Sequence, residues 1–119
     1  MKEILILLFC CGIVSCNRSF FETKDNRITF KKQMKVIQGA EREGSSVLVE
    51  EYRNALYFLS LVTGIATDAD YSSTFGYGNK EDYQRNMRDW KDWYKRNKYR
   101  ITDKYVDSVY KRVGLKYKL

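Results

Sequence analysis

The sequence predicts an all-α fold, a small antiparallel bundle of about four helices, and three observations carry that expectation. Apolar residues recur at spacings of three and four in four separate segments, as they do along one face of a helix. Proline is absent from all 119 residues, so every position keeps the backbone N–H that a helix interior needs. Ten Tyr, six Phe and two Trp supply bulk, since each aromatic side chain buries roughly 150–250 Å² and dominates a small core.

The first helix is expected from Ile28 to about Arg42. Phe30, Met34 and Ile37 are spaced by four and three with Val36 beside them, while Lys31, Lys32, Lys35 and Gln38 fall on other faces. Its opening, Arg27-Ile28-Thr29-Phe30, also suits a short extended segment. Gly44-Ser45-Ser46 then breaks the pattern, with Ser46 or else Ser45 placed as an N-cap, neither of which forms a capping box, and Glu50 and Glu51 early in the second helix, where the helix dipole favours acids. From Val47, the set Leu48, Tyr52, Ala55, Leu56, Leu59 and Val62, widened by Phe58 and Leu61, forms the broadest apolar face of the chain. That breadth predicts a central helix, and Gly64 is expected to end it in the left-handed conformation.

Thr67 to Lys80, "TDADYSSTFGYGNK", is the longest irregular stretch and is rich in turn formers. From Glu81 to about Arg100, Tyr83, Met87, Trp90 and Tyr94 form a stripe widened by Trp93, with Glu81 and Asp82 in the first turn and Lys95, Arg96 and Lys98 in the last. Thr102 is the expected N-cap of a final helix with Tyr105, Val106, Val109, Tyr110 and Val113 on one face before Gly114. The closing "LKYKL" alternates, as a loose or strand-like tail does.

The amino-terminal stretch "ILILLFCCGIVSC" holds all three cysteines of the chain. Its apolar run, Ile4 to Val14, is interrupted only by Gly12 and spans about 16 Å as a helix, whereas a bilayer core needs about 20 residues. The length suits the apolar region of a secretory signal peptide, with Lys2 ahead of it and Glu3 departing from that pattern. Its end, Ile13-Val14-Ser15-Cys16, resembles the lipobox of bacterial lipoproteins. The rival is a cytosolic protein with a buried amino-terminal helix.

The resemblance implies that residues 1–15 are a signal peptide, that Cys16 is lipidated and becomes the first mature residue, that 16–26 form a tether, and that 27–119 form the helical domain. It implies an anchor of two or more acyl chains, which holds stably where one binds reversibly, at about 0.8 kcal/mol per buried methylene. Cys10 and Cys11 leave with the signal peptide, so no thiol remains for a disulfide, a metal or a nucleophile. Asn17 stands where an Asp retains lipoproteins at the inner membrane, so the expected place is the bacterial cell envelope, at the outer membrane. Phe20 and Phe21 fit either the packed domain or the headgroup layer. "YFLSLVTGI" followed by "WKDWYKRNK" resembles helical segments of bacterial envelope proteins, some with HEAT-like hairpins, and two hairpins are too few for a solenoid.

The net charge of +7 is unevenly placed: 13 Lys/Arg face 6 Asp/Glu between Asn79 and Leu119, against 8 and 8 between Cys16 and Gly78. "DWKDWYKRNKYR" and "YKRVGLKYKL" interleave bases with aromatics. In the cytosol that pattern suggests nucleic acid; outside it, a phosphate-bearing lipid or polysaccharide is the expected anion, and solvated helix faces over an aromatic core explain the pattern as well. No nucleic-acid partner is expected.

Catalysis is not expected, because the chain has no His and only the lipidated Cys16 after the signal peptide. Glu50 and Glu51 are neighbours on a helix and point about 100° apart, unlike two acids facing across a cleft. Asp68-x-Asp70-x-Ser72 opens like a calcium loop, but Ser73 stands where Gly is wanted and Asn79 where a bidentate Glu is wanted, so no metal and no cofactor are expected. Tyr71, Phe75 and Tyr77 in the long loop either form a recognition surface or fold back to cap the bundle. The expected function is therefore a lipid-anchored binding or structural module with the membrane and an envelope protein as partners, or else an inhibitor or immunity-like protein neutralising a partner at the membrane.

Overall fold

A computed structural model describes residues 23–42, 46–69 and 76–114, and these form an all-α bundle. Helix α1 covers 23–40, α2 Val49–Thr63, α3 Lys80–Asn97 and α4 Asp103–Arg112, with a tight 3₁₀ turn at Lys98–Arg100 between the last two. The expected four-helix architecture is observed. The Cys16 lipobox and the "LKYKL" tail lie outside the described residues.

Helix α1 buries Phe30, Met34 and Ile37, as their spacing requires, and Arg27-Ile28-Thr29-Phe30 is helical. The same face continues backwards through Gln33, Asn26 and Thr23, all buried. Residues 23–26 are therefore helix, although their polarity assigns them to the tether. Their buried positions carry polar groups, one of which is matched across the bundle: the Asn26 amide donates to Asp103 Oδ1 at 2.7 Å.

Helix α2 buries Tyr52, Ala55, Leu56, Phe58, Leu59 and Val62. It begins two residues later than expected: Leu48 is the N-cap, with no side-chain hydrogen bond, and Ser46 lies outside the helix. Leu48 has extended dihedrals there, which removes it from the helical register and leaves it 64% exposed. Glu50 and Glu51 do occupy the first turn. At the other end Gly64 adopts φ 72° and its N–H donates to the Ser60 carbonyl at 2.9 Å, the expected left-handed stop.

Helix α3 opens on Asn79, whose side chain accepts from the Asp82 N–H at 2.7 Å, with Glu81 and Asp82 in the first turn and Lys95 and Arg96 in the last. It buries Asn86, Met87 and Trp90, and its last turn tightens to 3₁₀ after Asn97 rather than continuing as α-helix to Arg100. Thr102 caps α4 as expected, accepting from the Tyr105 N–H at 3.1 Å. Val106, Val109 and Tyr110 are buried, but α4 stops at Arg112, so Val113 falls beyond the packed face and is 52% exposed.

Ring geometry fixes how the helices lie together. Phe30 of α1 meets Phe58 of α2 edge-on at 6.3 Å and stacks against Tyr94 and Trp93 of α3 at 5.0 and 6.0 Å. Because Gly39 packs against Val47 while Phe30 meets Phe58, α1 and α2 are antiparallel. Phe30 against Tyr94 and Glu41 against the Tyr77 N–H make α1 and α3 antiparallel too. It follows that α2 and α3 point the same way, a departure from the antiparallel succession expected of the four helices. Their connection is long because the chain must return along the bundle before α3 can start. Helix α2 is the central element: it meets α1 through Phe58, packs on α3 and α4, and accepts the Tyr105 hydroxyl of α4 at the Val62 carbonyl, 2.5 Å away.

Candidate functional site

Of the three loop aromatics that were candidates either for a recognition surface or for capping the bundle, Tyr71 and Phe75 lie outside the described residues, as does Cys16, and Tyr77 is held against the bundle. Its ring sits edge-on to Tyr83 at 5.5 Å. Its hydroxyl donates to Asn86 Oδ1 at 2.9 Å and lies 3.0 Å from the Thr67 hydroxyl, and its backbone N–H donates to Glu41 Oε1 at 3.3 Å. One residue thus fastens the second half of the connection to the first half, to α3 and to α1.

Asn86 organises this fastening from a position only 2% exposed. Its Oδ1 also accepts the Asp68 N–H at 3.0 Å, and its Nδ2 donates to Asp68 Oδ2 at 3.0 Å. A buried amide with both ends partnered avoids the desolvation penalty of an unpaired polar group. Arg85 completes the cluster from the next position on α3, donating to Asp68 Oδ2 at 2.5 Å and to Asp82 Oδ1 at 2.8 Å. The Arg85 guanidinium, and after it the Asn86 amide, hold the Asp68 carboxyl below the usual carboxylate range against an opposing effect of burial. The same bond to Asp68, followed by that to Asp82, raises Arg85. Tyr83 is pushed up, mainly by burial and then by Glu41, with Arg42 opposing.

The first oxygen of the sequence's calcium-like pattern is therefore committed to an arginine and an amide, and Asp70 and Ser72 lie outside the described residues. Among the described residues, no group of three or more His, Cys, Asp or Glu is placed to hold a metal. None of the described helices is long and apolar enough to cross a membrane. Sequence reasoning missed Asn86 and Arg85. Periodicity treats both as solvent-facing, and the one available signal was that Asn86 precedes Met87 beside the apolar stripe.

Where α1 and α3 run side by side they leave an open groove of about 400 Å³ lined by Gln38, Met87, Arg88, Lys91, Asp92 and Lys95 among others. Arg88, Lys91 and Lys95 are spaced by three and four, so they share one stripe of α3. On α1, Lys31 and Lys35 precede Gln38 by seven and three and so share its face. Lys31 Nζ lies 5.6 Å from the centre of the Tyr94 ring, which brings that lysine to the α3 side of its helix. Three bases and one acid, Asp92, line the groove. The bases belong to the carboxy-terminal surplus seen in the sequence, and the apolar floor is Met87.

Searches against protein families, curated proteins and solved structures found no match for this chain. Chemistry alone therefore weighs the remaining surfaces. Glu51 lines a second groove of about 310 Å³ between α1 and α2, where it shares the walls with Lys32, Gln33 and Asn54 rather than with Glu50. The outer face of α4 mixes Asp103 and Asp107 with Lys104 and Lys111 and is near neutral. The α1/α3 groove is the one of these surfaces whose lining charge is predominantly of one sign, carried by Arg88, Lys91 and Lys95 of α3 against Asp92. Such a surface attracts anions without needing to reorganise, and its attraction fades with salt.

Proposed function

We propose that this chain is a lipid-anchored protein of the bacterial cell envelope, held through Cys16, that acts as a small binding module for an anionic, phosphate-bearing envelope component. The anchor is supported by Ile13-Val14-Ser15-Cys16 at the end of an eleven-residue apolar run of the length that suits a signal peptide. The single observation that carries the binding role is the stripe of Arg88, Lys91 and Lys95 along a groove that Gln38 of α1 borders. Phosphate oxygens on a lipid headgroup or an envelope polysaccharide offer the multiple acceptors that a guanidinium and two ammonium groups recognise.

Two measurements test the proposal. Intact-mass analysis of the protein from native membranes is expected to show a chain beginning at Cys16 and carrying acyl groups. Pull-down of the lipoprotein with envelope lipids and polysaccharides is expected to weaken on raising salt and in an Arg88→Gln, Lys91→Gln, Lys95→Gln variant. Salt-independent binding, or binding unchanged in the triple variant, removes the groove from the function.

A protein that neutralises a partner at the membrane is the second reading, favoured by the exposure of Leu48 and Val49 together at the start of α2. Co-purification of one stoichiometric protein, lost on Leu48→Ser and retained in the triple variant, would select it.

A further inference from the structure

The end of the bundle nearest the proposed anchor differs in character from the groove. Six residues separate Cys16 from Thr23, where described helix α1 begins, and even fully extended that stretch places Thr23 within about 25 Å of Cys16. Helix α1 is itself about 27 Å long at 1.5 Å per residue. A tether no longer than the domain restricts which surface can meet the lipid.

Because α1 and α3 are antiparallel, the start of α1 lies beside the end of α3 and the 3₁₀ turn, and Asn26 touches Asp103 at the start of α4. This end exposes two large apolar side chains, Ile28 at 58% and Tyr99 at 60%. The Tyr99 ring has the Arg27 guanidinium 5.1 Å from its centre and the Lys98 ammonium at 5.3 Å. Arg100, also exposed, follows directly and is steadied by donating to Asn97 Oδ1 at 3.2 Å. Single exposed apolar residues are ordinary on soluble domains. Here, however, an aromatic ring has two cations against it, an aliphatic side chain belongs to the same end, and Asp103 faces the Asn26 amide. Tyrosine is enriched at the headgroup level of membranes, where its ring is half in lipid and its hydroxyl in water, and Lys and Arg beside it meet lipid phosphates.

We propose that this end of the bundle, with Tyr99, Ile28, Arg27, Lys98 and Arg100, rests on the anionic surface of the membrane that holds the anchor, an inference that depends on the lipid-anchored reading of Cys16. Contact at this end leaves the α1/α3 groove open along the side of the bundle, free for the phosphate-bearing ligand proposed above. The anchor supplies residence at the membrane and the basic aromatic end supplies orientation.

The test uses the full lipoprotein reconstituted into nanodiscs of phosphatidylglycerol or of phosphatidylcholine. Mass analysis reads the state of Cys16, and hydrogen exchange reads the segments containing residues 27–28 and 98–100. The expected result is an acylated Cys16 and exchange several-fold slower at those segments in phosphatidylglycerol than in phosphatidylcholine, with the segment at 76–80 unchanged. A Lys98→Gln, Tyr99→Ser, Arg100→Gln variant, altered only at exposed or half-buried positions, is expected to lose the difference while exchange across 52–62 stays as in the parent. An acylated chain with equal exchange in the two lipids, or with the slowing at 76–80 instead, overturns the orientation and leaves the anchor standing. A chain without acyl groups on Cys16 overturns both.

Discussion

The hydroxyl of Tyr77 donates to Oδ1 of Asn86 at 2.9 Å, and the same oxygen accepts the backbone N–H of Asp68 at 3.0 Å. A single buried amide thus ties both ends of the α2–α3 connection to α3. The connection is long because α2 and α3 run in the same direction, and a long return segment is costly to order unless something inside the bundle receives it. Asn86 is that receiver.

Replacing Asn86 by Leu leaves the Asp68 N–H and the Tyr77 hydroxyl without this partner in a half-buried setting, at a cost of about 1–3 kcal/mol. Tyr77→Phe removes one hydroxyl and is expected to cost about 0.5–1.5 kcal/mol. Because the two residues share a bond, the double variant should lose less than the two single losses added together. Urea unfolding of the four proteins measures this, and strict additivity would show that the bond does not couple them.

The ion pair beside this network sets a pH dependence. Arg85, and then Asn86, lower the Asp68 carboxyl from its ordinary range, so the folded state holds the ionised form more firmly than the unfolded chain does. A lowered carboxylate contributes stability that is present above the unfolded pKa and is lost as pH falls through the folded one. Asp68→Asn is therefore expected to melt below the parent at neutral pH, with the difference closing in acid below about pH 4. Both partners are near half exposed, so the difference should also shrink with added salt. Thermal melts across pH and ionic strength provide the check, and a gap that widens in acid contradicts the assignment.

Much of the fold was legible because apolar side chains with regular spacing decide which face of each helix is buried. Phe30, Met34 and Ile37 on α1, the Tyr52 to Val62 set on α2, and Met87 with Trp90 on α3 were all recoverable that way. Gly64 and Thr102 were legible because each carries the chemistry its position needs, a positive φ or an oxygen aimed at an N–H. Leu48 and Val113 misled for one reason: each continues an apolar period one step past the helix that would have buried it. Asn86, Asn26 and Thr23 escaped because hydrophobic periodicity has no mark for a buried polar residue, whose burial depends on a partner far away in sequence. The parallel course of α2 and α3 is encoded only in the length of the segment between them.

The two caps that the chain states openly should behave as local devices. Thr102→Ala removes the oxygen that receives the Tyr105 N–H and is expected to cost about 1 kcal/mol, with Thr102→Ser close to neutral. Gly64→Ala meets no atom within 4 Å, so its cost is purely conformational, about 1–2 kcal/mol for a side chain in the left-handed region. Equilibrium unfolding reports both. A neutral Gly64→Ala would mean that the α2 terminus relaxes to negative φ.

Asn26 tests where the domain begins. Its amide bonds Asp103 across 77 residues of sequence, joining the start of α1 to the first turn of α4. A side chain buried among helices and bonded to a carboxylate is worth about 1.5–3 kcal/mol, whereas a residue in a solvated tether is worth nothing to folding. Asn26→Ala should therefore lower the unfolding midpoint clearly, while Lys24→Ala, exposed on the same turn, should leave it within about 0.5 kcal/mol. Shortening the chain to start at Arg27 should cost at least as much as Asn26→Ala, because it removes the buried Thr23 as well. If Asn26→Ala and Lys24→Ala unfold together with the parent, then residues 23–26 belong to the tether and the domain starts at Arg27.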